Sequence, residues 1–285
     1  MALFSGKMKS RQTHVKLGDI TLVRETMRSP FGDLALYRGG TGPALLLLHG
    51  GAGSWNHWIR NIPELAAHYT VYALDLPGCG DSPDASNELS AEEYFDLTAE
   101  AIGNYFGSAE ALRFAGFSFG GVTSAGVAAR LGPRVVRLAL AGRGGLGLKL
   151  THPVPLRKVP FEGGDRTAIH DALRHNLLVM MLAKPETIDD VTLELHRSNV
   201  SRVRFDSRKV GLGNSLLGSL PRVKCPVQVI WGEKDAVAFP SVNERANICR
   251  RLVPGVRIEV IPGAGHWVPY EAAEAVNRTL IDFLA

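Results

Sequence analysis

The sequence has little of what marks secreted, metal-binding or membrane-spanning proteins. Its 285 residues include three cysteines, too few and too far apart for a disulfide framework or a metal site: Cys79, Cys225 and Cys249. No hydrophobic run is long enough to cross a bilayer. The first residues, MALFSGKMKSRQTH, lack the apolar segment of a signal peptide, and we interpret them as a flexible tail. We therefore expect a cytoplasmic protein with no membrane partner. We interpret its cysteines as structural, and the alternative is that Cys79 carries a reactive thiol.

The excess of one sign of charge over the other is also small. The chain carries 32 basic and 28 acidic residues, a formal net charge of +4, and the basic residues are scattered apart from one cluster at 197–209. This balance argues against a nucleic-acid partner. We expect a small-molecule substrate instead, and the sequence leaves open whether the protein is a monomer or a homo-oligomer.

What the chain does contain is an alternation of apolar strands and helices. Helical spacing predicts a helix at 55–65 and another that starts at Ser90, with Glu93 completing a capping box. Two weaker strand patterns precede these elements, and we predict that they form an antiparallel edge of the sheet. Because strands buried on both faces need helices on both sides, we predict the α/β class, with a mostly parallel central sheet. The predicted strands are 20–25 and 34–38 at the edge, then 44–48, 69–74, 112–115, 135–141, 227–231 and 256–261.

The alternation breaks between about residues 146 and 221. This stretch is rich in proline at its start and predicts helices at 167–182 and 188–200, but no buried strand. An insertion where sheet strands end is typical of a lid over a binding cleft. We therefore predict a helical lid at 146–221 between two core parts, 1–145 and 222–285.

A glycine-rich turn joins the strand at 112 to a helix of small residues. It reads Gly116-Phe117-Ser118-Phe119-Gly120, the G-x-S-x-G pattern of a nucleophile elbow. Such a turn exposes its central side chain and directs the first N–H groups of the helix at the same point. Five residues alone do not exclude a glycine-rich turn with a solvated serine. Ser118 is our candidate nucleophile.

A serine nucleophile needs a base and an orienting acid at the same end of the sheet. His266 lies in the loop after the last predicted strand, flanked by glycine, and is the candidate base. Two carboxylates follow the strand at 227–231. We choose Asp235 as the acid and interpret Glu233 as a solvated turn residue.

Stabilisation of an oxyanion needs two backbone donors. We predict the N–H of Phe119, directly after the nucleophile, and that of Gly51, in the loop after the strand 44–48. Gly50 beside it lets the backbone approach substrate closely. The alternative is that these glycines only shape a turn. No metal or cofactor is expected.

These motifs together resemble those of the α/β-hydrolase superfamily over nearly the whole chain. The matching segments are HGG at 49–51, DLPGCGDS at 75–82, GFSFGG at 116–121, WGEKD at 231–235 and GAGHW at 263–267. The order Ser118, Asp235, His266 is also that of the superfamily. The resemblance implies the α/β-hydrolase fold and a hydrolase that cleaves an ester, lactone, amide or activated carbon–carbon bond of a small metabolite.

A closer likeness is to the hydrolases that cleave carbon–carbon bonds in ring-fission products of aromatic catabolism. It rests on segments 139–147, 54–58 and 266–267. The chain departs from that pattern at Phe117, where those enzymes usually have asparagine. Their substrate-binding lid arginine corresponds to a position near His196, with Arg197 one residue later. The likeness implies a substrate that carries a carboxylate.

We therefore name five substrate-binding candidates: Gly50, Phe117, His196, Arg197 and Trp267. Phe117 and Trp267 would line an apolar pocket, or else be core. The basic cluster of Arg197, Arg202, Arg204, Arg208 and Lys209 would attract a carboxylate, or else form a solvated helix face. Two other functions stay open: a perhydrolase or haloperoxidase-like enzyme on the same triad, and a receptor-like ligand-binding protein with slow turnover.

Overall fold

The fold is built on one mixed sheet. The structure, a computed structural model, describes residues 13–148, 154–238 and 240–285. Its strands are β1 (His14–Leu17), β2 (Ile20–Ser29), β3 (Gly32–Gly39), β4 (Ala44–Leu48), β5 (Thr70–Leu74), β6 (Leu112–Phe117), β7 (Val135–Ala141), β8 (Val227–Gly232) and β9 (Arg257–Ile261). Their order across the sheet is β1-β2-β3-β5-β4-β6-β7-β8-β9. The three neighbouring pairs β1–β2, β2–β3 and β3–β5 are antiparallel. The remaining neighbouring pairs, β5–β4, β4–β6, β6–β7, β7–β8 and β8–β9, are parallel.

Helices connect and cover the strands. They are α1 (Ile62–Leu65), α2 (Ala91–Phe106), α3 (Phe119–Leu131), α4 (Arg166–Asn176), α5 (Asp190–Val200), α6 (Arg208–Gly211), α7 (Ser215–Ser219), α8 (Val242–Leu252), α9 (Val268–Glu271) and α10 (Ala273–Leu284). The predicted capping box of α2 is present, because Ser90 and Glu93 bond to each other's backbone N–H. In the described part of the chain, no helix has the length and apolarity to cross a membrane.

The apolar run of β4 explains why helices cover both faces of the sheet. All five of its residues are buried. Since side chains alternate along a strand, Leu46 and Leu48 pack into one hydrophobic cluster while Leu45 and Leu47 pack into another. The predicted α/β class with a mostly parallel sheet is therefore confirmed.

Two local predictions needed correction. The sequence suggested one helix over 55–65, but the structure has a 3₁₀ turn at Trp55–Trp58 and then the short α1. Pro63 is the reason, because it has no N–H to bond the carbonyl of Ile59 and fits only in the first turn of a new helix. Strand β1 was not predicted at all. It includes His14, which we had assigned to the flexible tail, whereas residues 1–12 lie outside the described part of the chain.

The segment 146–221 is helical where it is described. Between β7 and β8, residues 146–148 and 154–221 contain α4 to α7 and no strand, and α4 continues into a π-helical turn at Leu177–Met181. Its apolar residues join the same two clusters as the sheet, Phe205 and Leu216 on one side and Leu173 and Leu193 on the other. The division of the chain at 145/146 and 221/222 stays a prediction.

Candidate active site

A single residue separates strand β6 from helix α3. Ser118 has φ of +51° and ψ of −115°, a region that side-chain-bearing residues rarely adopt. The glycines around it permit this turn: a Cβ on Gly120 would overlap the carbonyl oxygens of Leu48 and His49, and one on Gly116 would overlap that of Gly120. The elbow is thus packed backbone to backbone against the end of β4, as the glycine-rich motif predicts.

Three of the predicted residues form one hydrogen-bonded chain. Ser118 Oγ lies 3.0 Å from His266 Nε2, and His266 Nδ1 lies 2.8 Å from Asp235 Oδ1. An ionised carboxylate only accepts, so Nδ1 carries the proton and Nε2 accepts from the serine hydroxyl. The same Oδ1 also accepts the N–H groups of Val237 (2.8 Å) and Ala238 (3.2 Å). These bonds fix the carboxylate, which in turn orients the ring.

The neighbouring carboxylate lies elsewhere. Glu233 is exposed and accepts the N–H of Gly263 at 2.8 Å, which braces the loop that carries His266. The structure therefore places Asp235, and not Glu233, next to the imidazole.

One predicted oxyanion donor directly follows Ser118, and the other lies in the loop after β4. Phe119 is the first residue of α3, so its N–H is one that a helix leaves free. In the loop after β4, the N–H of Gly50 donates to His57 Nδ1 at 3.1 Å and is occupied. Within the described residues, no acceptor is assigned to the N–H of Gly51 or of Phe119.

Gly50 positions this loop against the elbow. A Cβ at Gly50 would lie 2.7 Å from the Phe117 ring and 3.3 Å from Ser118 Cβ. A Cβ on Gly51 would overlap Ser207 Oγ, so a hydroxyl from the 146–221 segment reaches the same place. Ser207, which is half-buried, was not predicted, because nothing in its sequence surroundings distinguishes it from the other serines.

Two buried histidines adjoin the loop and were also not predicted. His49 is structural: its Nδ1 donates to the carbonyl of Gly50 at 2.7 Å, and its Nε2 accepts the N–H of Leu76 at 2.9 Å. Burial lowers the pKa of His49 to about 4, so it is neutral. His57 is 1% exposed, and burial holds its pKa well below the ordinary value.

Aromatic side chains pack next to the triad histidine and next to His57. The Phe117 ring lies 5.2 Å from that of His266 and 5.5 Å from that of His57. Trp267 lies farther back, 4.8 Å from the His57 ring and stacked on Tyr270 at 4.1 Å. Both predicted aromatics are therefore near the site, with Phe117 directly beside the base.

On α5, the two adjacent lid candidates point in different directions. His196 is 6% exposed and faces inward, where burial lowers its pKa to about 4. Arg197 is 41% exposed and forms an ion pair with Glu194 at 2.5 Å, one turn away on the same helix. Successive helical residues differ by about 100° around the axis, so only one of the two faces inward. The structure therefore pairs the Arg197 guanidinium with Glu194 and not with the triad, and a role in substrate binding stays a prediction.

The rest of the basic cluster is not a uniform solvated face. Arg202 pairs with Asp81 at 2.8 Å, and Arg204 pairs with Asp84 and donates to the carbonyl of Ser82 at 2.5 Å. These bonds tie residues 202–209 to the loop 78–87, and we call them the latch. Lys209 belongs to it through the carbonyl of Asn87, at 2.7 Å.

Arg208 does match the solvated-face alternative, because it is 77% exposed and pairs only with the nearby Asp206. Cys79 is fully buried, and burial raises the pKa of its thiol to about 12, which argues against a reactive thiolate. In the part of the chain that the structure describes, no three His, Cys, Asp or Glu side chains form a metal-binding group. Cofactor-free chemistry stays a prediction.

Comparisons with known proteins agree with this architecture. The profile of a family described as "Alpha/beta hydrolase family" matches residues 45–279. The 2-hydroxy-6-oxo-6-phenylhexa-2,4-dienoate hydrolase of Burkholderia cepacia is 30% identical over 262 aligned residues, which cover 86% of this chain and 89% of that protein. The solved structure of the enzyme of the same name from Rhodococcus sp. strain RHA1 superposes with a TM-score of 0.71 at 22% identity, over 92% of this chain and 99% of that one.

Another relative is a longer protein. The dihydrolipoyllysine-residue acetyltransferase component of the acetoin cleaving system of Pseudomonas putida is 32% identical over 256 aligned residues, which cover 85% of this chain. The chain spans 64% of the length of that relative. Because the family profile matches residues 45–279, which is most of the sequence, the chain belongs to the alpha/beta hydrolase family and is an enzyme.

Proposed function

We propose that the protein is a cofactor-free serine hydrolase that cleaves an acyl bond of a small carbonyl compound. Ser118 is the nucleophile, His266 the base and Asp235 the acid that orients it. The observation that carries this proposal is the continuous chain of short hydrogen bonds from Ser118 Oγ to the Asp235 carboxylate. The strained backbone of Ser118 supports it, because such strain concentrates at functional sites.

The geometry supports a two-step reaction. Ser118 Oγ attacks the carbonyl carbon while its proton moves to His266 Nε2, which makes an oxyanion and an imidazolium. Asp235 stabilises the imidazolium through the Nδ1–H bond. The oxyanion collapses, the leaving group takes the proton from Nε2, and the acyl group stays on Ser118. Water then attacks the acyl-enzyme by the same steps and releases the acid.

Backbone donors support the oxyanion step. Within the described residues, the N–H groups of Gly51 and Phe119 have no hydrogen-bond acceptor, and Gly51 lies next to Phe119. Removing one such donor from an oxyanion hole typically costs about 100- to 1,000-fold in rate. The occupied N–H of Gly50 explains why we assign the role to Gly51.

The relatives bear on which bond the enzyme cleaves. The Burkholderia cepacia relative is named for a dienoate that carries a ketone. The aligned region covers most of this chain and most of that protein. We therefore place activated carbon–carbon bonds beside esters, lactones and amides among the bonds to be tested. Because Arg197 already pairs with Glu194, we do not base the substrate class on a contact between Arg197 and a carboxylate.

A panel of substrates tests the proposal. It comprises p-nitrophenyl esters, lactones, anilides and vinylogous diketones, assayed with wild-type protein, Asp235→Asn and Glu233→Gln. Asp235→Asn should lower kcat about 1,000-fold or more, because the imidazole loses its orienting partner. Glu233→Gln is the matched control and should stay within about threefold of wild type. Equal losses in the two variants, or no turnover of any acyl substrate, would contradict the proposal.

A further inference from the structure

Within the part of the chain that the structure describes, two imidazoles outside the triad have buried nitrogen atoms with no hydrogen-bond partner. They are His57 Nε2 and His196 Nδ1, on side chains that are 1% and 6% exposed. Buried polar groups are normally hydrogen-bonded, so two such atoms next to a reaction centre call for an explanation.

The protonation of His57 follows from its contacts. Its Nδ1 accepts the N–H of Gly50, so the ring proton is on Nε2, which is a donor with no acceptor. The ring lies 5.5 Å from Phe117, which in turn lies 5.2 Å from His266. The free donor is therefore separated from the base by one aromatic ring.

Helix α5 carries His196 to the same place. Asn199, one turn later, accepts from Ser54 Oγ at 2.8 Å and donates to Asn56 Oδ1 at 2.7 Å. These buried bonds hold the inner face of α5 over the segment that contains His57. Burial holds the pKa of His57 well below its ordinary value, and the electrostatic effect of His49, His196 and His266 lowers it further.

The surroundings favour an uncharged ligand group. The His57 ring is buried against the rings of Phe117 and Trp267, and burial lowers the pKa values of both His57 and His196, which keeps them neutral. The neighbouring cation on α5, Arg197, is already paired with Glu194 and partly exposed. A carboxylate placed between the two histidines would be desolvated without an opposite charge, which is costly. A hydroxyl or enol oxygen, which can both accept and donate, satisfies both nitrogen atoms.

We propose that His57 and His196 form a neutral subsite that binds a hydroxyl or enol group of the acyl substrate, and that this subsite sets the enzyme's specificity. The proposal rests on the proposed serine hydrolase function. His57 donates from Nε2, and His196 Nδ1 takes the complementary role. Neither residue takes part in bond cleavage.

The test compares p-nitrophenyl esters that differ in one group. These are butanoate, a series from 3-hydroxybutanoate to 6-hydroxyhexanoate with their deoxy counterparts, and the hemisuccinate, which carries a carboxylate. Wild-type protein should show at least about a tenfold higher kcat/KM for one hydroxy ester than for its deoxy counterpart, and the hemisuccinate should be the poorest substrate. His196→Leu should reduce that hydroxy-to-deoxy ratio to near one.

Controls separate the possible failures. Arg197→Leu, on the outer face of the same helix, should keep the wild-type ratio, and His196→Gln should restore part of it if His196→Leu folds poorly. Equal kcat/KM for hydroxy and deoxy esters in wild type would overturn the proposed subsite. His57 Nε2 and His196 Nδ1 would then bind water only. A preference for the hemisuccinate, or loss of the ratio in Arg197→Leu, would also overturn it. If butanoate itself is not cleaved, the proposed function fails instead.

Discussion

At the scale of single residues, the site depends on how closely the backbone approaches Ser118. Phe117 and Gly50 are in contact range on one side, and Phe119 begins a helix on the other. The hydroxyl of the strained serine between them lies 3.0 Å from His266 Nε2. The lack of a side chain at Gly50 is therefore a geometric requirement, and the adjacent Gly50 and Gly51 should differ in how much an added methyl group disturbs the site.

Gly50→Ala should lower kcat about 100-fold, since a shift of about 1 Å at a reaction centre has that effect. The new Cβ would press on the Phe117 ring and on Ser118 Cβ. Gly51→Ala is the matched control: its Cβ would overlap the hydroxyl of Ser207, which can rotate away, and would make only ordinary contacts with Ser207 Cβ and Phe119 Cβ. Steady-state kinetics on one p-nitrophenyl ester measures both. If Gly51→Ala is the more damaging variant and Gly51→Ala/Ser207→Ala does not recover, the assignment of these two glycines is wrong.

At the scale of elements, the elbow between β6 and α3 is also a packing unit. Gly120→Ala should lower the free energy of unfolding by about 3 kcal/mol, because its Cβ would overlap backbone atoms at the end of β4, which cannot move independently. Gly218, in α7, has open space around it, so Gly218→Ala should be neutral or stabilise by up to about 1 kcal/mol. Urea unfolding followed by circular dichroism checks both. Equal stability of the two variants would contradict the packing account.

The latch acts at the same scale. Arg204 donates to backbone carbonyls of the loop 78–87 as well as to Asp84, while Arg208 pairs only within its own segment. Arg204→Ala should speed proteolytic cleavage within 146–221 several-fold and raise KM, whereas Arg208→Ala should do neither, since exposed ion pairs contribute about 0–1 kcal/mol. High salt should bring wild type toward the Arg204→Ala rate. Identical cleavage rates in both variants would show that the latch does not hold the segment.

At the scale of the whole molecule, the sequence predicts what depends on local pattern. Continuous apolar runs predicted the parallel strands, and motif order predicted Ser118, Asp235 and His266. Strand β1 was missed because it is short and mostly exposed, so it has no apolar run. The roles of Arg197 and His196 could not be separated, because the rotational phase of α5 is set by the Asn199 bonds to a loop about 143 residues away. Long-range contacts of this kind leave no local pattern.

Whole-molecule stability should depend on pH in a stated direction. Burial lowers the pKa values of His49, His57 and His196, so on acidification below about 6.5 the unfolded chain takes up protons that the folded chain does not. Their contribution is present above 6.5 and lost toward pH 4. Asp75 acts oppositely, because burial raises its pKa to about 7, so its contribution is present below its unfolded pKa of 3.8 and lost as pH rises through 7.

Three groups outweigh one, so the free energy of unfolding should fall as pH is lowered from 6.5 to 4.5. Each proton of difference corresponds to about 1.4 kcal/mol per pH unit. Asp75→Asn should make the fall steeper, since it removes the opposing group. Urea titrations at a series of pH values measure the slope. A flat or rising profile would show that these histidines are not held neutral.

The central claim is that Ser118 is the nucleophile, and covalent labelling tests it most directly. Wild-type protein treated with a fluorophosphonate should gain one adduct, and tryptic mass spectrometry should locate it on the peptide containing Ser118. Ser118→Ala should fold normally, because glycines and not the hydroxyl permit the elbow, and should take up no label. An adduct on another residue, or undiminished labelling and turnover in Ser118→Ala, would contradict the account.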